Sequence, residues 1–258
     1  RAAGTDGAGA GDVGQLLHVG ACDGGHVVRD DGRGFAWRTE ADHDARWVRR
    51  EYDLDQLRSA DLVLSYWMGP AIAHTLVSFG FDDGRHLVFS LEIRKEQGES
   101  FSALGGFFRR FEMTLVASEE TDILRTRTNA RGEDVYLYRL HGLDRGQLKA
   151  LFAAYLDEAK QLDAAPAFYN TATSNCTTIV FDLARHIAPG LPLDYRLLLS
   201  GYLAEYAQEV GALVPGVPYA ELHAKGRITE RALHMAAGEN YSTVIRRGIP
   251  GTEQDPQQ

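Results

Sequence analysis

The chain has 258 residues, 44% of them hydrophobic and 24% charged, which is typical of a globular protein with a sizeable core. Its net charge is −9 and no basic stripe stands out, so nucleic acid is excluded as the main partner. No window approaches the roughly 18 apolar residues that span a bilayer. No secretory signal opens the chain, which begins at Arg1, and the sequence leaves open whether a signal or membrane anchor has been removed.

The first half of the chain predicts β-strands. Residues 1–33 are rich in Gly, Ala and Asp and are expected to be flexible or peripheral, ahead of one domain over 34–250 and a tail over 251–258. An edge strand is expected at FAWRT, and further strands at VRREY, DLVLSYW, HTLVSFGF, HLVFSLEIR, FEMTLVAS and DVYLYRL. The two runs separated by DDG, HTLVSFGF and HLVFSLEIR, are the strongest hairpin signal in the chain.

The second half predicts helices. Apolar residues recur at helical spacing from Leu148 to Ala159, with Asp144 as the N-cap and Pro166 as the stop. A second helix is expected from Cys176 to Ile187, and a third within YRLLLSGYLAEYAQEVGAL. Antiparallel strands followed by helices predict an α+β fold, an antiparallel sheet packed on helices.

The hairpin register places two polar residues side by side. If DDG is a three-residue loop with Gly84 in the left-handed conformation, Phe81 pairs with Arg85. The same count makes one face of the hairpin almost wholly apolar, and it puts His74 opposite Glu92 on the other face. A carboxylate beside a histidine can hold the imidazole in one tautomer and stabilise its charged form.

The stretch TSNCTTIVFDLARHI places Cys176 where a polar run becomes a helix. A thiol at a helix N-terminus feels the positive end of the helix dipole, and a nearby imidazolium lowers its pKa further. Cys176, His74 and Glu92 therefore form a hypothetical nucleophilic triad. The alternatives remain open at this point: a cysteine ahead of an apolar helix is more often a small buried residue, and a histidine on a strand is more often structural.

Other kinds of site have less support. No HExxH and no paired Cys/His spacing appears, so no metal is expected, and without a GxxxxGK[ST] motif neither is a nucleotide cofactor. The chain also lacks the GxSxG of serine hydrolases. Its two cysteines are too few for a disulfide framework, although a single bridge from Cys22 to Cys176 is left open. Cys22 is interpreted as an incidental loop thiol.

Three segments together resemble a known family. The runs AHTLVSFGF, SLEIRKE and YNTATSNCTT, within a similarity from about Gly34 to Pro250, resemble the N-terminal periplasmic domain of Lnb-type bacterial lipoprotein N-acyltransferases. The resemblance implies a circularly permuted papain-like (NlpC-related) fold, in which the histidine strand precedes the cysteine helix. It also implies a periplasmic or cell-envelope location, often with a membrane tether, and a membrane surface as a partner.

The resemblance further implies covalent acyl transfer without a cofactor. Cys176 would attack an acyl ester of a phospholipid or lipoprotein donor, with His74 as base and acid and Glu92 as the orienting residue, and a lipoprotein amine would accept the acyl group. Further expected contributions come from the oxyanion or cleft residues Asn175, Tyr66 and Tyr169, and from Arg94, Lys95 and Arg109 as weaker candidates for binding lipid phosphate.

Three functions are compatible with these residues. The first is the N-acyltransferase, and the second is a papain-like cysteine amidase or peptidase acting on cell-wall peptides. The third is a non-catalytic envelope module that uses the same cleft to bind lipid or protein.

Overall fold

The computed structural model describes residues 18–23, 26–33, 36–37, 43–44, 47–94, 112–165, 167 and 176–253. Its centre is a sheet in which five successive strands pair antiparallel. In spatial order they are β9 (Glu112–Glu119), β8 (His86–Arg94), β7 (Ala73–Phe81), β6 (Leu57–Tyr66) and β10 (Asp134–Arg139). Together with the helices described below, they confirm the α+β class.

The N-terminal strands extend this sheet. They are β1 (His18–Asp23), β2 (His26–Arg33) and β5 (Trp47–Asp53), while β3 (Ala36–Trp37) and β4 (His43–Asp44) form a separate pair. β2 joins β9 through one parallel pair, Arg33 with Ser118. Val27 of β2 is buried in the main core. Part of the segment that the sequence predicts to be flexible or peripheral therefore consists of paired strands.

The predicted hairpin register is confirmed. Gly84 has φ 79°, the left-handed conformation that the three-residue loop requires. The Phe81 N–H donates to the Arg85 carbonyl oxygen over 3.0 Å, and Phe79 pairs with Leu87. Paired residues of β7 and β8 then continue as far as Leu76 with Ser90.

The helices begin and end largely at local signals. They are α1 (Glu120–Arg125), α2 (Arg145–Ala164), α3 (Cys176–Arg185), α4 (Leu203–Glu209), α5 (Tyr219–Gly226), α6 (Thr229–Leu233) and α7 (Tyr241–Arg246). α2 begins at a capping box, because the Asp144 side chain accepts from the Gln147 N–H and the Gln147 side chain accepts from the Asp144 N–H. α3 begins at Cys176, as the sequence predicts.

The third predicted helix is interrupted, and this is a correction. In place of one helix, 3₁₀ turns over Tyr195–Leu197 and Ser200–Tyr202 precede α4. Gly201 packs closely against an earlier segment, because a Cβ at this position would lie 2.0 Å from the Pro70 carbonyl oxygen. The Gly201 N–H also donates to the Ala71 carbonyl oxygen over 3.0 Å, so the backbone here bonds to the segment before β7 instead of continuing as a helix.

Helices cover both faces of the sheet. On one face, α2 and α3 pack on an aromatic core in which the Phe79, Phe89 and Phe152 rings contact each other edge to face. On the other face, the C-terminal helices cover a second cluster that contains Leu76, Val88 and Ile245. Both faces of the central strands are therefore buried, and the polar residues among them are enclosed.

Candidate active site

His74 and Glu92 lie together where β7 and β8 separate. The His74 Nε2 atom is 2.7 Å from the Ser90 Oγ atom and 3.4 Å from Glu92 Oε1. Ser90 donates its hydroxyl hydrogen to Glu92 Oε1 over 2.7 Å, so its oxygen is left to accept from the His74 Nε2–H. This relay fixes the tautomer of His74 and leaves its Nδ1 atom for another partner.

Cys176 is close enough to His74 for each to shift the pKa of the other. It is the first residue of α3, 8% exposed, and it carries a free thiol, which excludes a bridge to Cys22. His74 and the backbone N–H of Thr75 both lower the pKa of the thiol, and the sulfur lies 3.9 Å from the Thr177 hydroxyl oxygen. The next residue, Thr177, joins its hydroxyl to that of Thr75 over 2.9 Å, and both are buried. α3 is thus attached to β7 at the point where β7 presents His74.

The charges of this cluster shift three pKa values. Burial is the largest single effect on His74 and lowers its pKa, but the negative charges of Glu92 and Cys176 together outweigh burial and raise the pKa to about 9. Burial is also the largest single effect on the Cys176 thiol and raises its pKa, but His74, Thr75 and Thr177 together outweigh burial, so the pKa lies below its ordinary value. Burial also opposes ionisation of Glu92, but His74 and Arg127 hold its pKa well below the usual range. These directions favour a thiolate–imidazolium pair near neutral pH.

Arg127 binds the carboxylate of this cluster, and the sequence analysis did not identify it as a site residue. Its Nη2 atom donates to Glu92 Oε1 over 2.7 Å and its Nη1 atom to Glu133 Oε2 over 3.1 Å. Ser65, which pairs with His74 across β6 and β7, donates to the same Glu133 oxygen. Arg127 lies in a π-helical turn, Thr126–Ala130, a rare geometry that is frequent at functional sites.

Tyr155 is a second residue that the sequence presented only as core. It lies on α2, and its ring stacks on Phe89 with centroids 4.9 Å apart. Burial raises the pKa of its hydroxyl, and the negative charge of Cys176 adds to the effect. Among the described residues the hydroxyl group has no hydrogen-bond partner. A buried donor without a partner near the sulfur is available to a substrate oxygen.

Tyr66 lines a neighbouring cavity. Its hydroxyl donates to the Gly201 carbonyl oxygen over 2.5 Å, and burial raises the pKa of the phenol above its usual range. Because Tyr66 pairs with Ala73, the residue before His74, the cavity lies near this end of β7 but on the face of the sheet opposite the His74 side chain. The oxyanion role expected of Tyr66 would require it to release Gly201.

Several residues expected at the site are not described. Asn175, Tyr169, Lys95 and Arg109 lie outside the described residues. Arg94 is the last residue of β8 and pairs with Glu112 of β9. Within the described ranges no cluster of His, Cys, Asp or Glu has the arrangement of a metal site. No helix found in the same ranges combines the length and the apolar character that a membrane crossing requires.

A protein-family model matches more than half of the chain. The model described as the Lnb N-terminal periplasmic domain matches residues 43–201, more than half of the sequence. The chain belongs to this family. The match includes His74, Glu92, Arg127 and Cys176, and it supports a periplasmic or cell-envelope location. Comparisons with curated proteins and with solved structures return no match.

Proposed function

We propose that this Lnb-family domain is a cysteine-dependent acyltransferase of the cell envelope, which forms a thioester on Cys176 and passes the acyl group to an amine. The observation that carries the proposal is the position of His74 between Glu92 and Cys176, with the pKa of the imidazole raised and that of the thiol lowered. A structural cysteine does not need an imidazolium next to it, whereas a nucleophile does.

The first half-reaction uses the ion pair. The Cys176 thiolate attacks the carbonyl carbon of an acyl ester in a phospholipid or lipoprotein donor, forming the C–S bond. The C–O bond then breaks, and the His74 imidazolium gives its proton to the leaving alkoxide. The products are an S-acyl enzyme, a free alcohol and neutral His74. Glu92 stays ionised and holds the ring in place throughout.

The second half-reaction returns a proton to His74. An uncharged amine, such as the α-amino group of a lipoprotein, attacks the thioester carbonyl, and His74 takes the proton that the amine loses. The C–S bond breaks, an amide is released, and the thiolate–imidazolium pair is restored. The Tyr155 hydroxyl and the backbone N–H of Cys176 are the donors proposed for the negatively charged oxygen in both halves.

The fold proposed for the domain is the permuted papain-like one. It is supported by the chain order, with the His74 strand before the Cys176 helix, and by the start of α3 at the nucleophile. The nucleophile on a helix and the base on the adjacent strand of an antiparallel sheet form the arrangement that such a fold requires.

The test is the pH dependence of Cys176 alkylation, read by peptide mass spectrometry. In the wild type we expect iodoacetamide to modify Cys176 well below pH 8.5, the pKa of an ordinary thiol. In His74→Ala we expect the apparent pKa to rise towards that value, with a loss of about a hundredfold in rate at pH 6.5. Cys22 in the same digest is the control for general reactivity. If Cys176 behaves like Cys22 in the wild type, both enzymatic readings fail and a binding module takes their place.

The acyl donor is identified by trapping the thioester that it forms on Cys176. Wild type and Cys176→Ser are incubated with vesicles that carry a labelled acyl chain, and intact mass reports a thioester that hydroxylamine removes. We expect the adduct on the wild type alone, and transfer of the label to an added diacylated peptide amine. Release of amine from cell-wall peptides, without any adduct from lipid, would replace the acyltransferase with an amidase.

A further inference from the structure

A cavity of about 670 Å³ lies across the sheet from the His74 side chain, and the proposed chemistry does not use it. Aromatic rings form much of its wall, those of Tyr66, Trp67, Tyr136, Tyr219 and His223 among them. The rings support each other: Tyr136 stacks on His223 with centroids 4.2 Å apart, and Tyr66 meets Tyr136 edge to face at 5.4 Å. Ring faces with fixed orientations are the surfaces on which cations bind.

Two carboxylates complete the wall. Asp134 accepts from Arg227 Nε over 2.7 Å and from the Tyr136 hydroxyl over 3.2 Å, so it is partly neutralised. Glu205, the first-turn acid of α4, has no hydrogen bond or ion pair within the described part of the chain. Its charge acts on Tyr66, Tyr219 and His223. An uncompensated carboxylate therefore faces a set of aromatic rings.

No cation of the protein occupies this position. Among the described residues that line the cavity there is no lysine or arginine. His223 is held largely by its neighbours, with its Nδ1 atom 2.8 Å from the Tyr138 hydroxyl. Burial lowers its pKa, so it is neutral at pH 7. The cavity thus presents one net negative group and several ring faces to whatever enters it.

The rim of the cavity is apolar and exposed. Trp67 and Met68 are 48% and 54% exposed, and Leu198 is 52% exposed. The two segments that carry them meet where Gly201 packs against Pro70. Met68 and Leu198 are two and three residues from that contact, which is within about 10 Å along an extended chain. Exposed Trp, Met and Leu in adjacent loops are typical of a surface that meets lipid or a protein partner.

We propose that this rim docks on a phospholipid bilayer and that the cavity takes up the alkylammonium head group of one lipid. The rings and Glu205 match the ammonium group, and the exposed apolar residues match the acyl boundary. A cationic peptide would use the carboxylate but leave the exposed apolar rim without a role. Attraction to anionic lipid is excluded as the main cause of binding, because the chain carries a net charge of −9.

The docking does not rest on the proposed function. Tyr66 pairs with Ala73, and His74, the next residue of β7, points to the opposite face of the sheet, so the cavity is on the face away from the His74 side chain.

Vesicle co-sedimentation tests the docking. The protein is the full chain carrying Cys176→Ala, so that no acyl transfer takes place and binding is read independently of chemistry. The vesicles contain either phosphatidylcholine with phosphatidylethanolamine or phosphatidylglycerol alone. We expect binding to the ammonium lipids, weakened about fivefold by Glu205→Gln and about tenfold by Trp67→Ala.

The matched control is Glu221→Gln, which makes the same change in charge on the exposed side of α5, where Glu221 pairs with Lys225. It should bind like its parent. Stronger binding to phosphatidylglycerol, equal binding of Glu205→Gln and its parent, or binding of a lysine peptide in place of vesicles would each overturn the docking. Vesicle binding without a thioester in the wild type would instead count against the proposed function alone.

Discussion

Two histidines at opposite ends of one hairpin experience opposite electrostatic environments. His74, in β7, and His86, in β8, are on the same polar face, and each is near a buried arginine with two carboxylates. The pKa of His74 is raised to about 9, while burial lowers the pKa of His86. The two clusters hold the same residue types, so the difference must come from their contacts.

The contacts of the carboxylates explain the difference. Glu92 Oε1 lies 3.4 Å from His74 and shares Ser90 with it, so its charge acts directly on the ring. Glu120 is occupied by Arg246, which donates to both of its oxygens over 2.8 and 2.6 Å, and by the Ser78 hydroxyl. Its charge is neutralised before it reaches His86, and burial then dominates. Arg127 also binds Glu92, but through one of its oxygens, whereas Arg246 binds both oxygens of Glu120, so the carboxylate raises the pKa of the histidine only in the first cluster.

Replacing the buried arginine should lower the free energy of unfolding more in the His86 cluster than in the His74 cluster. Arg246→Met leaves Asp61 and Glu120 with side chains that are 0% exposed, and we expect a loss of about 3–5 kcal/mol in the free energy of unfolding. In Arg127→Met the carboxylates of Glu92 and Glu133 can reach water, so we expect about 1–3 kcal/mol. Urea unfolding measures both. Equal losses would show that the two clusters are not different in kind.

The pH dependence of stability should have opposite signs for the two histidines. The folded-state pKa of His74, about 9, exceeds the unfolded value of 6.5, so its contribution is complete below pH 6.5 and is lost as the pH rises to about 9. At 1.36 kcal/mol for each pH unit this amounts to at most about 3 kcal/mol. His86 has a lowered pKa, so its contribution is present above pH 6.5 and declines as the pH falls below that value.

The measurement is the free energy of unfolding of His74→Gln and His86→Gln relative to the wild type, from pH 5 to pH 9. The difference for His74→Gln should shrink as the pH rises, and that for His86→Gln should shrink as it falls. Curves with the same slope would contradict the assignment of charge to His74 alone.

Neutralising Glu92 should make the electrostatic environment of His74 resemble that of His86. Burial would then lower the pKa of His74, since Glu92 is the main cause of its rise. We expect Glu92→Gln to slow alkylation of Cys176 at pH 6.5 at least about tenfold by raising the pKa of the thiol. Glu133→Gln is the control, because Glu133 also binds Arg127 but is bonded to Ser65 rather than to the imidazole. A tenfold effect in the control would assign the activation to Arg127.

The smallest expected difference concerns two serines that occupy equivalent places. Ser90 links His74 to Glu92, and Ser78 donates to Glu120 over 2.6 Å. Each Ser→Ala change should cost about 1 kcal/mol of stability, the net value of a hydrogen bond. We expect only Ser90→Ala to shift the pH profile of Cys176 alkylation, by a few tenths of a pH unit. A similar shift in Ser78→Ala would mean that the profile reports stability rather than the relay.

Local patterns were sufficient for part of the site. The alternation on both sides of DDG predicted the register that sets His74 opposite Glu92, because a shift by one residue would turn the apolar face toward the side of the buried charges. The polar run before an apolar helix located the start of α3 at Cys176, and Asp144 with Gln147 located the start of α2. These predictions succeeded because each depends on residues near each other in the chain. The third helix failed because its interruption depends on Pro70, 131 residues before Gly201.

The sequence by itself determined the class of the fold, the hairpin, and three residue types suited to nucleophilic chemistry. Only the tertiary structure decided which of the other charged residues reach them. Arg127 meets Glu92 from 35 residues away, and Arg246 meets Asp61 from 185 residues away. Tyr66 and His223, which are far apart in the sequence, likewise line the same cavity. Such contacts carry no periodic signal, because buried charges are selected for their partners in space and not for their spacing along the chain.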